Sequence, residues 1–285
     1  MKRAELEPIL AVMRACAREA GALVLGGFRK RHVIEHKSAA ELVTRFDRES
    51  EALLRERLSA SFAFDIVGEE GGGDFRRDRP AFFVDPIDGT TNFVHGHPFW
   101  CVSIGLVIDG EPALGVVFAP ALGQEWYAFV GDDAREARRR MHAAWRPEGE
   151  TDEPIAVSTT AELEHSLLAT GFPYDRRKSP DNNFDAFVAI KKRCQAVRRC
   201  GSAALDLCLV ADGTYEGYWE RKLRPWDIAA GIAIVRAAGG TVTELEPTPE
   251  GPIASGHLVA TNGLIHDALL HELAHAPALS IAPPG

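Results

Sequence analysis

Asp85-Pro86-Ile87-Asp88-Gly89-Thr90-Thr91-Asn92-Phe93 follows directly on the apolar run Ala81 to Val84. Four apolar residues bounded in this way read as a buried strand, so two carboxylates leave its end within three positions. Pro86 fixes one backbone dihedral between them. Gly89 and Thr90 can open a short helix, whose first N–H groups have no partner inside the helix and favour an anion such as phosphate. Clustered carboxylate oxygens suit a hard cation. The plainer alternative is an Asp-rich turn with capping side chains, as most D-x-x-D-G strings are.

Two further acidic motifs sit at element ends. Glu69-Glu70 follows the strand expected at Phe64 to Val67 through Gly68 and precedes Gly71-Gly72-Gly73. If that strand lies beside Ala81 to Val84, Glu69 comes next to Asp85; alone, the G-E-E string reads as a solvated turn. Pro225-Trp226-Asp227-Ile228-Ala229-Ala230-Gly231 places one carboxylate at the start of an apolar helix, where an ordinary N-cap is the simple reading. Together the three motifs make a charge cluster that is costly to bury unless cations neutralise it.

A chain of 285 residues, 46% of them hydrophobic, can bury a large core as one big domain or two closely packed halves. A formal net charge of −9 argues against nucleic acid or an anionic membrane as the main partner. Arg138 to Arg140, and Lys191 to Arg193 with Arg198 and Arg199, read as solvated basic faces. Cys16, Cys101, Cys194, Cys200 and Cys208 are odd in number and contain no C-x-x-C pair, which argues against a disulfide framework or a zinc site. No apolar run approaches the roughly 20 residues of a membrane span. Lys2, Arg3, Glu5 and Glu7 replace the apolar stretch of a secretory leader, so the cytoplasm is the expected location.

Apolar residues at three- and four-residue steps from Leu6 to Val24 predict an amphipathic helix ended by Gly26 and Gly27. A second helix is expected around Phe46 to Leu58, after a turn at Lys37-Ser38. Strands are expected at Trp100 to Ile108, Leu114 to Phe118 and Glu125 to Val130. Asp132 to Glu153, densely charged, reads as a surface excursion with a helix around Arg135 to Trp145. Beyond it, strands at Ile155 to Val157, Ser166 to Thr170, Ala196 to Arg199, Tyr215 to Trp219, Gly240 to Glu244 and Leu258 to Thr261 alternate with helices near Phe184 to Lys192, Ala203 to Val210, Asp227 to Ala238 and Leu264 to Leu273. Such alternation predicts a layered α/β architecture. The stretch from Pro277 to Gly285 reads as a frayed tail.

Gly68-Glu69-Glu70, Asp85 to Thr90 and Trp226-Asp227 together resemble the three signature motifs of the inositol monophosphatase family, and the resemblance runs from about Ala11 to Leu273. Lys37 before Leu42-Val43-Thr44-x-x-Asp47, and Gly201-Ser202-Ala203-Ala204-Leu205-Asp206, agree with it. The resemblance implies a single domain, an alternating αβαβα sandwich of the sugar-phosphatase type. A metal and phosphate half would cover about 1–158, a substrate-binding half about 159–276 and a flexible tail 277–285. It also implies two or three magnesium ions, inhibition by lithium and a homodimer.

By the same resemblance, Glu69, Asp85 and the carbonyl of Ile87 hold a first magnesium ion, and Asp85, Asp88 and Asp227 a second. Thr90 and Asp47 are similar to the pair that orients the attacking water, with Glu69 in the catalytic set. Gly89 and Thr90 correspond to the phosphate cradle, and Asp88, Ser202, Ala203, Glu220 and Asp227 to substrate contacts; Glu220 also reads as a surface charge beside Arg221. The implied activity is magnesium-dependent hydrolysis of myo-inositol monophosphate or a similar polyol phosphate, by metal-activated water without a phosphoenzyme. Fructose 1,6-bisphosphate, histidinol phosphate and adenosine 3',5'-bisphosphate are rival substrates. A regulatory protein that binds RNA or polymerase is the alternative of another class.

His95 and His97 are poor partners for magnesium, which prefers oxygen, and read as structural or rim residues. Cys101 and Cys208 read as core fillers and Trp226 as a packing anchor. From Gly131 to Pro154 the chain departs from the family pattern, being longer and Arg-rich where relatives carry a short hairpin.

Overall fold

Helix α1 (Arg3–Leu25) buries Leu6, Ile9, Leu10, Met13 and Val24 along one stripe, the face its apolar period prescribes. It packs with α2 (Arg45–Ser61) on one face of a seven-stranded sheet, through Leu54, Leu58, Phe82, Val102 and Tyr127. The computed structural model describes residues 1–30, 34–36, 42–142, 149–249 and 251–278. Lys37 and its turn, Trp145, and the tail from residue 279 lie outside the described residues.

Seven strands lie side by side in chain order: β3 (Asp65–Gly68), β4 (Ala81–Asp88), β5 (Cys101–Ile108), β6 (Glu111–Ala119), β7 (Gln124–Val130), β8 (Arg135–Met141) and β9 (Thr151–Pro154). β3 and β4 run parallel; the remaining neighbours are antiparallel. β1 (Glu35–His36) pairs with β2 (Leu42–Val43) as a separate ribbon. A second sheet has the order β11 (Ala196–Arg198), β10 (Leu167–Thr170), β12 (Gly217–Glu220), β14 (Leu258–Thr261), β13 (Thr241–Thr243).

Helices α5 (Ala203–Ala211) and α6 (Pro225–Ala237) lie between the two sheets and bury apolar side chains against both, so each is hydrophobic nearly all round. Helices α4 (Phe184–Lys191) and α8 (His266–Ala274) cover the outer face of the second sheet through Ile190, Trp219, Val259, Leu269 and Leu273. Short helices α3 (Thr90–Val94) and α7 (Pro252–Ser255) and a 3-10 turn at Leu163–His165 complete the described elements. The result is the layered α/β architecture that the alternation of elements predicts, in the αβαβα form that the resemblance implies.

Two glycines set how closely α6 approaches the first sheet. A Cβ at Gly105 would lie 2.6 Å from Ala229 Cβ, and one at Gly115 would lie 2.3 Å from the Ala230 carbonyl oxygen. Without side chains there, the helix seats directly on β5 and β6, which fixes its first turn relative to β4.

The charged stretch after Gly131 corrects the sequence reading. Arg135–Met141 is a strand rather than a helix, and β9 adds another. Arg138 reaches Asp152 at 2.7 Å, Arg139 reaches Glu153 at 2.8 Å, and Arg140 pairs with Glu150, so cross-strand ion pairs replace the apolar alternation that marks most strands. β9 ends at Pro154, and of the expected strand from Ile155 only the Ile155 N–H still bonds to the sheet, at Ala137 O, 3.0 Å. Glu125 on β7 is fully buried and takes hydrogen bonds from both Arg14 and Arg18. Among the described residues no helix is long and apolar enough to cross a membrane.

Candidate active site

Parallel pairing of β3 with β4 sets Gly68 opposite Val84, so the next residues, Glu69 and Asp85, emerge side by side. Beyond Asp85 the pairing shifts: Asp85 faces Ser103 and Asp88 faces Cys101, three residues on β4 against two on β5. This bulge absorbs Pro86, which has no N–H for the ladder, and re-aims both aspartates. Asp85 Oδ1 accepts the Ile87 N–H at 2.9 Å. Gly89 then turns the chain at φ +101°, a conformation suited to glycine, and α3 begins at Thr90.

The second sheet and the central helices deliver the opposing groups. Ser202 caps α5 by accepting the Leu205 N–H, and its hydroxyl donates to Asp88 Oδ2 at 2.7 Å, as does the Ala204 N–H. Asp227 is not the N-cap of α6 but its third helical residue; Arg224 is the cap, and its N–H bonds to Asp227 Oδ2 at 2.7 Å. Glu220 ends β12 and accepts the Tyr218 hydroxyl, which turns it away from the surface-charge alternative.

These residues line one cleft of about 580 Å³. It holds Glu69, Asp85, Ile87, Asp88, Gly89 and Thr90 from the first half of the chain, with Ser202, Ala203, Glu220 and Asp227 from the second. Asp47 lies behind the wall, fully buried, and reaches the cleft through Thr90, whose Oγ1 donates to Asp47 Oδ1 at 3.1 Å. Every sequence-derived site residue is therefore part of one constellation. His95 and His97 are exposed and do not line it, while Cys101 and Cys208 are buried in the core and Trp226 packs against it.

Burial pushes Asp85 well above the usual carboxylate range, and the negative charges of Glu69, Asp88 and Asp227 push it further. Asp227 is raised well above that range by burial and then by Asp88. Asp88 rises to about 6, mainly through burial, against the hydrogen bonds from Ser202 and Ala204. Burial likewise brings Glu220 to about 7. Carboxylates crowded in this way repel one another, with the charge of Arg199 reaching Asp88 and Glu220, and their all-oxygen donor set fits divalent magnesium rather than a soft metal. A tighter trio, Glu162, Glu164 and His165, lies exposed on the surface and is an ordinary solvated cluster.

Four residues escaped the sequence reading. Glu51, only 2% exposed, accepts the N–H groups of Glu70 and Gly71 at 2.7 and 2.8 Å and so fixes the loop carrying Glu69. Its signal was available, because Glu51, Leu54 and Leu58 fall on one helical stripe. Asp206, in the quoted G-S-A-A-L-D run, lines the cleft with its Oδ1 buried and unbonded. Tyr174, exposed at the mouth, lies in a loop that no periodicity marks. Arg199, read as part of a solvated face, also lines the cleft.

The αβαβα layers and the carboxylate-lined cleft define a phosphoric monoester hydrolase of the metal-dependent kind. The model of the inositol monophosphatase family matches residues 5–278, and the chain belongs to that family, which depends on metal, typically magnesium. It is 42% identical over 276 residues to inositol-1-monophosphatase of Synechocystis sp., covering 96% of this chain and 91% of that one. The solved inositol monophosphatase from Anabaena (Nostoc) sp. superposes with a TM-score of 0.81 at 40% identity, covering 97% of this chain and 99% of that one. Nus factor SuhB of Pasteurella multocida is 34% identical over 279 residues, covering 96% of this chain and 98% of that one.

Proposed function

We propose that the cleft hydrolyses a polyol monophosphate, with myo-inositol monophosphate as the leading substrate, by direct attack of water on phosphorus and without a phosphoenzyme. The observation that carries this reading is the union of four buried or half-buried carboxylates with the free start of α3 in one cleft. Glu69, Asp85 and the Ile87 carbonyl would hold one magnesium ion, and Asp85, Asp88 and Asp227 another. When bound, magnesium supplies positive charge that draws electron density from the phosphoryl oxygens and makes water more acidic.

The chain's own groups do the positioning. The Thr90 hydroxyl has one proton, directed to Asp47 Oδ1 and the Ile87 carbonyl at 3.1 and 3.0 Å, so its lone pairs are left to accept a hydrogen bond from the attacking water, and a proton taken from that water would be matched by passing the hydroxyl's own proton to Asp47. Asp47 stays fixed because Oδ2 takes the Thr44 N–H and hydroxyl, each at 2.7 Å. The Gly89 and Thr90 N–H groups, without acceptors inside α3, face the phosphate. Asp88, Ser202, Ala203, Glu220 and Asp227 surround the leaving group and accept or donate hydrogen bonds to its hydroxyls. In this reading residues up to about 158, with Asp227, supply the metal and phosphate groups, and residues 159–276 supply most of the leaving-group contacts.

Inorganic phosphate release should require magnesium and collapse in Asp88→Asn; undiminished turnover by that variant contradicts the assignment. Inositol, fructose, histidinol and adenosine phosphates assayed in parallel identify the leaving group, and lithium should inhibit. Light scattering in solution tests the homodimer carried by the family resemblance. A second reading, binding of RNA or polymerase, is favoured by the name of the Pasteurella relative. Salt-sensitive binding that survives loss of Asp85 and Asp88 supports it, and absence of binding at low salt removes it.

A further inference from the structure

The cations around the cleft are of two kinds. Arg221 pairs with Asp181 at 3.2 Å and Lys222 with Asp175 at 2.9 Å, so both are committed to holding the loop that follows β10. Arg224 and Arg199 line the same cleft, are exposed and, among the described residues, form no ion pair; Arg224 caps α6 beside Asp227, on the acidic side of the cleft, whereas beside the α5 cap Ser202 stands Arg199. Its position is set by Gly201, held at φ +93°: a Cβ there would lie 2.7 Å from Arg199 Nη1. The guanidinium thus lies along Gly201 and next to Ser202, where the leaving group would rest. Its charge reaches Asp88, Asp206 and Glu220.

The hydroxyls of a neutral polyol are already served by carboxylates and by Ser202, and they need no guanidinium. An uncommitted arginine at a pocket wall offers a planar fork of donors that matches phosphate or carboxylate oxygens two at a time. The scissile phosphate does not require it either, because that group would be met by the α3 start and by the cations that the acidic cluster would hold. We propose that Arg199 is a specificity-determining residue that takes a second anionic group on the leaving portion of the substrate, extending the site to polyol or sugar phosphates that carry one. The inference rests on the phosphomonoesterase reading above and narrows its substrate class.

Fructose 1,6-bisphosphate and fructose 1-phosphate differ only in the distal phosphate, and form a matched pair for steady-state kinetics with magnesium. Inositol 1-phosphate serves as the reference for the phosphatase reading. The wild type is expected to show a KM about tenfold lower for the bisphosphate, the scale of one charged hydrogen bond. Arg199→Ala should erase that ratio by raising the bisphosphate KM more than it lowers kcat, and Arg199→Lys should restore part of it. Loss by the same factor on both fructose esters, or a wild type that does not favour the bisphosphate, overturns the inference. A wild type that cleaves inositol 1-phosphate but neither fructose ester overturns it alone; release from none of the three overturns the phosphatase reading with it.

Discussion

Thr90 Oγ1 lies 3.1 Å from Asp47 Oδ1 and directs its one proton toward that oxygen and the Ile87 carbonyl, so a fully buried carboxylate helps set the orientation of a hydroxyl on the cleft wall. If that hydroxyl orients the attacking water, Thr90→Ala lowers kcat by about a hundredfold or more, the range of a positioned proton-transfer group. Thr90→Ser, which keeps the hydroxyl, retains much of the rate. Phosphate release under saturating substrate reads both, and an effect confined to KM contradicts the role.

The buried carboxylates predict a dependence on pH. Asp88 is raised from 3.8 to about 6, and Asp85 and Asp227 lie well above the usual range. A folded-state pKa raised above the unfolded one favours the protonated native form. That stability is whole below the unfolded value and is lost as pH rises through about 6 for Asp88 and higher for its neighbours. Metal-free protein should therefore lose thermal stability as pH rises from about 4 to about 6 through Asp88, and further above that through Asp85 and Asp227. Because bound magnesium compensates the ionised groups, its stabilising shift in Tm should grow across that interval. Calorimetry with chelator and with magnesium checks this, and a shift constant with pH contradicts it.

Gly115→Ala forces a Cβ to within 2.3 Å of the Ala230 carbonyl oxygen, so α6 must move off β6. Overpacking of this kind costs about 1–3 kcal/mol. Because Asp227 rides on the first turn of α6, magnesium affinity should fall along with Tm. A lower Tm with unchanged affinity would show that the helix start is held independently.

Glu125→Ala leaves Arg14 and Arg18 without the buried carboxylate that both contact. Removing one partner of a buried pair costs roughly 3 kcal/mol, at the low end of its range because both arginines reach solvent. Urea unfolding should show the loss, while turnover per folded molecule is retained. A variant as stable as the wild type contradicts a structural role.

How much was legible in the chain depends on whether local pattern or distant pairing decides. The carboxylate cluster was readable because Val84, Gly68 and Trp226 each end or precede an apolar run, so Asp85, Glu69 and Asp227 had to fall at element ends. The bulge that aligns Asp85 with Asp88 was hinted at by Pro86. β8 was not readable, because its arginines satisfy ion pairs with residues 10 to 14 positions away and carry no apolar period. Arg199 is exposed, as its charge pattern predicts, but its place on the cleft wall was not readable, because that depends on Gly201 and on the opposing half of the cleft, neither of which charge patterning records.

Titration calorimetry of magnesium into the metal-free protein with inorganic phosphate present, in the wild type and in Asp85→Asn/Asp227→Asn, addresses the central claim most directly. Four carboxylates built to share divalent cations predict saturable uptake by the wild type and its loss in the double variant while the fold persists by circular dichroism. No uptake by the wild type, or equal uptake by both, contradicts the account.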